Sequence, residues 1–246
     1  MKTLNETVTP IWISHRGLAH SCDENTLASF QAAVEAGFHC IETDLRTTED
    51  GKIILFHDPE IKLKSGKSFD IQTTVKSKIE SLNLDHGGKI PSLNEFMQNF
   101  SNQNWAFDIK PETSNIVTDK ILDLLAKNQN LIHKIIFLFW DKKDQRRLVE
   151  KFPEATFFAR QEEIKRALYS ILFKVPCLGG IEKNKIYAVP PIYNNKRLLT
   201  KKLVSTLHKR GAKALCYLPE TKEELSWGLD AKVDYVLSNY SLSELT

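Results

Sequence analysis

HCIETDLRTTEDGKIILFHD, residues 39–58, places two carboxylates inside a strand that is otherwise apolar. Glu42 and Asp44 are two residues apart, and alternate residues of a strand face the same side of its sheet. Adjacent carboxylates repel each other and are costly to bury, so a cation is expected between them. The turn at Asp50-Gly51 leads into a second apolar strand that ends at His57. The stretch therefore predicts a strand pair that carries a charged site at one end.

Strand-like and helical patterns alternate along most of the chain. Apolar residues recur at helical spacing over residues 25–36, and a second helix begins at Ser92, where Glu95 completes a capping box. Buried strands are expected at residues 11–14, 39–45, 52–57, 105–110, 134–140 and 155–160. This alternation predicts an α/β fold with a TIM (β/α)8 barrel as the leading architecture and a doubly wound open sheet as the alternative. No glycine-rich dinucleotide fingerprint follows the first strand, which favours the barrel.

One segment interrupts the alternation. Residues 59–91, after the second-strand hairpin, are polar and show no regular pattern, which fits a small insertion rather than a core element. The chain is therefore interpreted as a single barrel domain over residues 1–246 with an irregular insertion at about residues 59–91.

Composition excludes several classes of function. The net charge of +3 is too small to indicate nucleic-acid binding, and no apolar run reaches the roughly eighteen residues of a membrane span. The N-terminal MKTLNETVTP lacks the apolar region of a secretory signal. The four cysteines show no paired metal-ligand spacing, so free thiols in a cytoplasmic protein are expected.

Ionisable residues stand at the ends of four predicted strands. In a barrel, the carboxyl ends of the strands meet on one face, where such enzymes have their active sites. The residues expected to converge there are His15, Arg16, Glu42, Asp44, His57, Asp108 and Lys110.

This set of side chains suits attack at the phosphorus of a phosphodiester. Three carboxylates fit a hard divalent cation such as Mg²⁺ or Ca²⁺, which neutralises a phosphate oxygen. Arg16 offers a planar fork that matches phosphate, and Lys110 offers a point charge. The two histidines titrate near neutral pH and can act as general acid and general base.

Five motifs resemble the glycerophosphodiester phosphodiesterase family in order and spacing. They are HRG at 15–17, ENTLASFQAAVEAG at 24–37, IETDLRTTEDGKIILFHD at 41–58, IPSLNEF at 90–96 and FDIK at 107–110. The resemblance is strong over residues 11–110 and weaker to the end of the chain. It implies a TIM barrel with a small insertion, and metal-dependent hydrolysis of a glycerophosphodiester to sn-glycerol 3-phosphate and an alcohol.

The resemblance also implies roles for residues at matching positions. They are the acid/base pair His15 and His57, the phosphate contacts Arg16 and Lys110, and the metal ligands Glu42, Asp44 and Asp108. The family usually has glutamate where this chain has Asp108, so the reach of that ligand is shorter by one methylene. The proline that the family usually has before Glu24 is absent from this sequence.

Three alternatives stay open. Residues 161–176 combine apolar and basic side chains; a barrel helix packed on the strands is favoured, but a membrane-surface patch would give lysophospholipase D-type activity on membrane lysolipids. A non-catalytic phosphodiester-binding barrel would not need two histidines. A metal-dependent lyase would use Lys110 as its base. Arg16 and the two histidines fit a phosphate substrate better than they fit this lyase.

The expected partner is a small-molecule glycerophosphodiester, with no nucleic acid and no stable membrane insertion, although surface contact with a membrane stays open. The head group, the choice of Mg²⁺ or Ca²⁺ and the order of the two histidines are not assigned. The nucleophile, which is water or a hydroxyl of the substrate, and the oligomeric state are not assigned either.

Overall fold

Eight parallel strands close into a barrel in the computed structural model, which describes residues 9–245. The strands are β1 (Ile11–His15), β2 (Cys40–Thr47), β3 (Ile53–Leu55), β4 (Glu60–Lys62), β5 (Ser68–Asp70), β6 (Asn104–Ile109), β7 (Ile135–Phe139), β8 (Thr156–Phe158), β9 (Lys185–Val189), β10 (Ile192–Tyr193), β11 (Lys196–Arg197), β12 (Lys213–Tyr217) and β13 (Tyr235–Ser238). The barrel runs β1-β2-β6-β7-β8-β9-β12-β13 and closes because β13 also pairs with β1. The predicted TIM barrel is confirmed.

Helices alternate with the barrel strands, and the last helix follows the last strand. They are α1 (Leu27–Glu35), α2 (Lys76–Glu80), α3 (Leu93–Asn99), α4 (Ser114–Lys127), α5 (Lys142–Lys151), α6 (Gln161–Leu172), α7 (Lys201–Lys209), α8 (Lys222–Ala231) and α9 (Leu242–Leu245). The capping box of Ser92 and Glu95 is present at the start of α3, as predicted. No helix within residues 9–245 is both long and apolar enough to cross a membrane.

The opening stretch forms the predicted strand pair. β3 runs antiparallel to β2, with Leu45 opposite Leu55 and Thr47 opposite Ile53. All eight residues of β2 are buried, because the strand lies between β1 and β6 and its far end is covered by the hairpin. Helix α1 begins two residues later than predicted because Thr26 caps it: the Thr26 side chain accepts a hydrogen bond from the backbone N–H of Ser29.

The side chains that face the barrel interior change from apolar to polar along the strands. Ile13, Cys40 and Ala106 belong to one buried apolar cluster that also includes residues from β7, β8, β9, β12 and β13. Two residues further along the same strands stand His15 and Glu42, which therefore face the same interior. The barrel is thus filled by apolar side chains at the amino ends of its strands and opens to charged side chains at the carboxyl ends.

Residues 59–91 are more regular than predicted. β4 and β5 form an antiparallel hairpin, and α2 follows them. Their buried residues make a small apolar cluster with Ile54 of β3, namely Ile61, Ile71, Ile79, Leu82 and Ile90. The prediction of an irregular segment was wrong because these apolar residues stand singly among polar residues, and the three-residue strands are too short to show a period.

Candidate active site

Carboxylates from two neighbouring strands meet at the mouth of the barrel. The register places Asp44 of β2 directly opposite Asp108 of β6, and Glu42 lies two residues before Asp44 on the same face. One carboxylate oxygen from each of the three residues lies within 4.8 Å of the others. Asp108 therefore still reaches the cluster, although its side chain is one methylene shorter than glutamate.

Two cations neutralise part of this negative charge. Lys110 Nζ lies 2.7 Å from Asp44 Oδ1 and 2.7 Å from Asp108 Oδ2. Arg16 Nε lies 3.1 Å from Asp44 Oδ2 on the other side. Asp44 is therefore held between a lysine and an arginine.

The backbone around Arg16 is shaped for this contact. Arg16 adopts a left-handed conformation, with φ of 56°, and its backbone N–H donates to Glu42 Oε2 at 3.1 Å. Gly17 follows with φ of 82°, and a Cβ there would lie 2.5 Å from the backbone carbon of Ser29. The glycine of HRG is thus required by both conformation and space, since it lets the chain turn against α1.

The electrostatic balance leaves one carboxylate without a cation. Burial raises the pKa of Glu42 well above its ordinary value, and the neighbouring Asp44 and Asp108 raise it further. Burial also opposes the charge of Asp44, but Lys110 and Arg16 outweigh it, so the pKa of Asp44 is lowered. Within residues 9–245, no lysine or arginine side chain forms an ion pair with Glu42. Three convergent hard oxygen donors with a deficit of positive charge fit a divalent cation.

The two histidines stand at the mouth in different surroundings. His15 Nδ1 donates to Asn239 Oδ1 at 2.7 Å, which leaves Nε2 free. Burial, and then the cation of Arg16, lowers the pKa of His15. His57 is more open, with 39% of its side chain exposed, and its Nδ1 lies 2.8 Å from Asp58 Oδ1.

Four residues that the sequence analysis did not select hold the site together. Asn25, with φ of 56°, donates from Nδ2 to Asp44 Oδ2 at 2.8 Å and accepts at Oδ1 from the Thr43 hydroxyl at 2.7 Å. Asn239 orients His15, and Trp140 donates to Asp108. Asn239 and Trp140 each directly follow a barrel strand, which is the signal that could have found them. The fourth is Arg46.

Arg46 fastens the His57 segment. Its buried guanidinium donates from Nε and from a terminal nitrogen to the backbone oxygen of His57, at 2.8 and 2.7 Å. The other terminal nitrogen pairs with Glu112 at 2.9 Å. Because this planar fork reaches both the hairpin and the loop after β6, it fixes the backbone of His57 relative to that loop.

A closed barrel with ionisable groups gathered at the carboxyl ends of its strands defines a TIM-barrel enzyme. The model of the glycerophosphoryl diester phosphodiesterase family matches residues 15–242, and the chain belongs to this family. The family expected from the motifs, and with it the prediction of an enzyme of the phosphoric diester hydrolase class, is confirmed.

Relatives match over most or part of the chain. A glycerophosphodiester phosphodiesterase of Caldanaerobacter subterraneus subsp. tengcongensis is 23% identical over 238 residues, which cover 92% of this chain and 93% of that protein. A lysophospholipase D of Homo sapiens is 30% identical over 128 residues, which cover 47% of this chain and 40% of that protein.

Solved structures share the fold. The glycerophosphodiester phosphodiesterase of Agrobacterium tumefaciens has a TM-score of 0.75 at 17% identity and covers 95% of this chain and 98% of its own. A phosphodiesterase of Oleispira antarctica, in complex with the product sn-glycerol-3-phosphate, has a TM-score of 0.74 at 20% identity and covers 94% of each chain.

Proposed function

We propose that this protein hydrolyses glycerophosphodiesters to sn-glycerol 3-phosphate and an alcohol in a metal-dependent reaction. The observation that carries the proposal is the cluster of Glu42, Asp44 and Asp108: one carboxylate oxygen of each lies within 4.8 Å of the others, and His15 stands opposite Glu42 on the neighbouring strand. The product complex of the Oleispira antarctica phosphodiesterase supports the substrate class. Residues 1–246 act in this proposal as one catalytic domain, with residues 59–91 as its insertion.

Glu42, Asp44 and Asp108 would hold the divalent cation, for which Mg²⁺ and Ca²⁺ both suit an all-oxygen donor set. When bound, the cation neutralises a phosphate oxygen and stabilises the charge of the transition state. The phosphate itself is bound by Arg16 and Lys110. Arg16 presents a planar fork to the phosphate oxygens, and Lys110 adds a positive charge on the side of Asp108.

The two histidines divide the proton transfers. His15 is the general base: its Nδ1 is engaged with Asn239, its Nε2 is free, and burial lowers its pKa, which favours the neutral ring that can accept a proton. It takes the proton of the attacking hydroxyl, of water or of the substrate. His57 is the general acid, which donates a proton to the oxygen of the departing alcohol. Its ring is oriented by Asp58 and its backbone by Arg46.

The structure disfavours two of the alternatives. A lyase base must lose its proton readily, but Asp108 and Asp44 outweigh the burial of Lys110 and raise its pKa.

The membrane-surface patch is the second of these alternatives. Helix α6 buries Ala167 and Ile171 against the barrel and exposes Leu172 and Phe173 at its end. Because a barrel helix runs antiparallel to the strand before it, this end lies at the opposite end of the barrel from the site. The patch therefore does not face the mouth.

The first experiment is release of glycerol 3-phosphate from glycerophosphocholine and glycerophosphoethanolamine by the purified protein, with Mg²⁺, with Ca²⁺ or with EDTA. We expect turnover with a divalent cation, loss of turnover in EDTA and recovery when the cation is restored. Undiminished turnover in metal-free protein would contradict the metal dependence. Absence of turnover on both diesters by folded, metal-bound protein would contradict the substrate class, and lysophosphatidylcholine would then be the next substrate. The cytoplasmic location stays a prediction.

Replacing Arg46 by lysine is expected to lower kcat/KM by about tenfold to a hundredfold, because a lysine cannot reproduce the fork that fixes His57 and small misplacements of a catalytic group are costly. Arg146→Lys is the matched control, since Arg146 is exposed on α5. Steady-state kinetics of both variants at saturating metal test the prediction. Equal activity of Arg46→Lys and Arg146→Lys would show that the Arg46 guanidinium does not position His57.

A further inference from the structure

Trp140 makes a contact with the acidic cluster that the proposed chemistry does not use. Its indole Nε1 donates to Asp108 Oδ1 at 2.8 Å, yet 53% of the residue is exposed. A large aromatic side chain that stays half in water gains little from burial at this position. The hydrogen bond to Asp108 is therefore the main structural reason for a tryptophan at this position.

The strand register explains how the indole reaches this carboxylate. Leu138 of β7 lies directly opposite Asp108 of β6, and Trp140 stands two residues beyond Leu138, just past the end of β7. Residues two apart on a strand face the same side, so Trp140 lies above the site, level with Lys110. From there its N–H points back to Asp108, one level deeper in the barrel.

Together, Trp140 and Lys110 occupy both oxygens of Asp108. Lys110 Nζ lies 2.7 Å from Oδ2, and Trp140 holds Oδ1. Without the indole, Lys110 is the single side chain within residues 9–245 that is bonded to this carboxylate, and a single contact leaves the carboxylate free to rotate about its last bond. With both contacts the plane of the carboxylate is fixed relative to Glu42 and Asp44.

We propose that Trp140 is a positioning residue that holds the shortened ligand Asp108 in the orientation required for binding the divalent cation. The inference rests on the proposed metal site. Groups that hydrogen-bond to metal-ligating carboxylates orient them, and losing such a group typically costs about 10- to 100-fold in metal affinity. In this chain the tryptophan N–H performs that task at the ligand with the shortest reach.

The test is direct binding of Mg²⁺ and of Ca²⁺ to metal-free protein by isothermal titration calorimetry, which requires no substrate. Trp140→Phe keeps an aromatic ring but removes the donor. We expect its Kd for the cation to rise by about 10- to 100-fold. Trp227→Phe is the matched control, because Trp227 lies on α8 and packs against Arg197; it is expected to bind as the unmodified protein does.

A double-mutant cycle separates positioning from a general effect on the fold. In an Asp108→Asn background, Trp140→Phe is expected to change Kd by less than about threefold, because the carboxylate that it orients is already absent. An equal loss in both backgrounds would overturn the inference, as would unchanged binding by Trp140→Phe. A fall in kcat with unchanged Kd would overturn it too, since the indole would then act on the substrate. If the unmodified protein binds no cation, the metal site of the proposed function fails and the inference with it.

Discussion

Replacing His15 by alanine is expected to lower kcat/KM by about 10²- to 10⁴-fold, because the attacking hydroxyl loses the group that accepts its proton. The side chain is only partly buried and its one hydrogen bond is to Asn239, so the fold should persist. His133→Ala is the matched control: this histidine is exposed in the turn before β7, at the other end of the barrel. Steady-state kinetics on glycerophosphocholine, with melting curves for both variants, measure the effect.

The division of roles between the histidines makes a sharper form of this prediction. A glycerophosphodiester of p-nitrophenol has a leaving group that departs without a proton. We expect His57→Ala to recover most of its activity on this substrate, because the general acid is no longer needed, and His15→Ala to stay impaired. The opposite pattern would exchange the two roles. Equal activity of His15→Ala and His133→Ala on both substrates would remove His15 from catalysis altogether.

The acidic cluster could be predicted because strand geometry leaves few choices. Residues two apart on one strand share a face, and parallel strands that end together bring those faces to one rim. Glu42 and Asp44 needed only this periodicity, and Asp108 needed only the assumption that its strand joins the same barrel. The observed register, with Asp44 opposite Asp108, satisfies both conditions.

The partners of the supporting side chains could not be predicted, although the positions of Asn239 and Trp140 directly after strands could have marked those two residues. Arg46 stands two residues after Asp44 in the opening stretch, but its acceptor is a backbone oxygen, that of His57, which every residue type possesses. Asn239 lies 224 residues from His15, and only the closure of β13 onto β1 brings them together. Closure of a barrel is a property of the whole chain and is absent from any short stretch of it.

Replacing Glu42 by glutamine is expected to change stability and function in opposite directions. Without metal, the substitution replaces a buried carboxyl that resists ionisation beside Asp44 and Asp108 with a neutral amide of similar size, which can still accept the Arg16 N–H. The free energy of unfolding in EDTA should therefore rise at neutral pH, by on the order of 1 kcal/mol or more. Catalytic turnover should be lost and the affinity for the cation should fall, since one of three ligands is gone.

The pH dependence fixes the sign of this effect. A carboxyl whose pKa is raised in the folded state destabilises the fold as pH rises above its ordinary value of 4.5, because the unfolded chain ionises first. The stability gain of Glu42→Gln should thus be absent below pH 4.5 and grow above it. Mg²⁺ or Ca²⁺ at a concentration that saturates the unmodified protein should reverse the ranking, because the cation gives more stability to the protein that binds it more tightly.

Thermal melts of the unmodified protein and of Glu42→Gln across pH, with EDTA and with each cation, measure the change in stability both without and with the metal. Glu154→Gln, at an exposed position before β8, should match the unmodified protein under every condition. A loss of stability on Glu42→Gln in EDTA would mean that this carboxylate is a structural hydrogen-bonding group rather than a ligand held ready for a cation. Suppose that Glu42→Gln is more stable than the unmodified protein in EDTA but less stable with the cation. Glu42 is then a ligand that destabilises the metal-free fold and is retained for binding the cation.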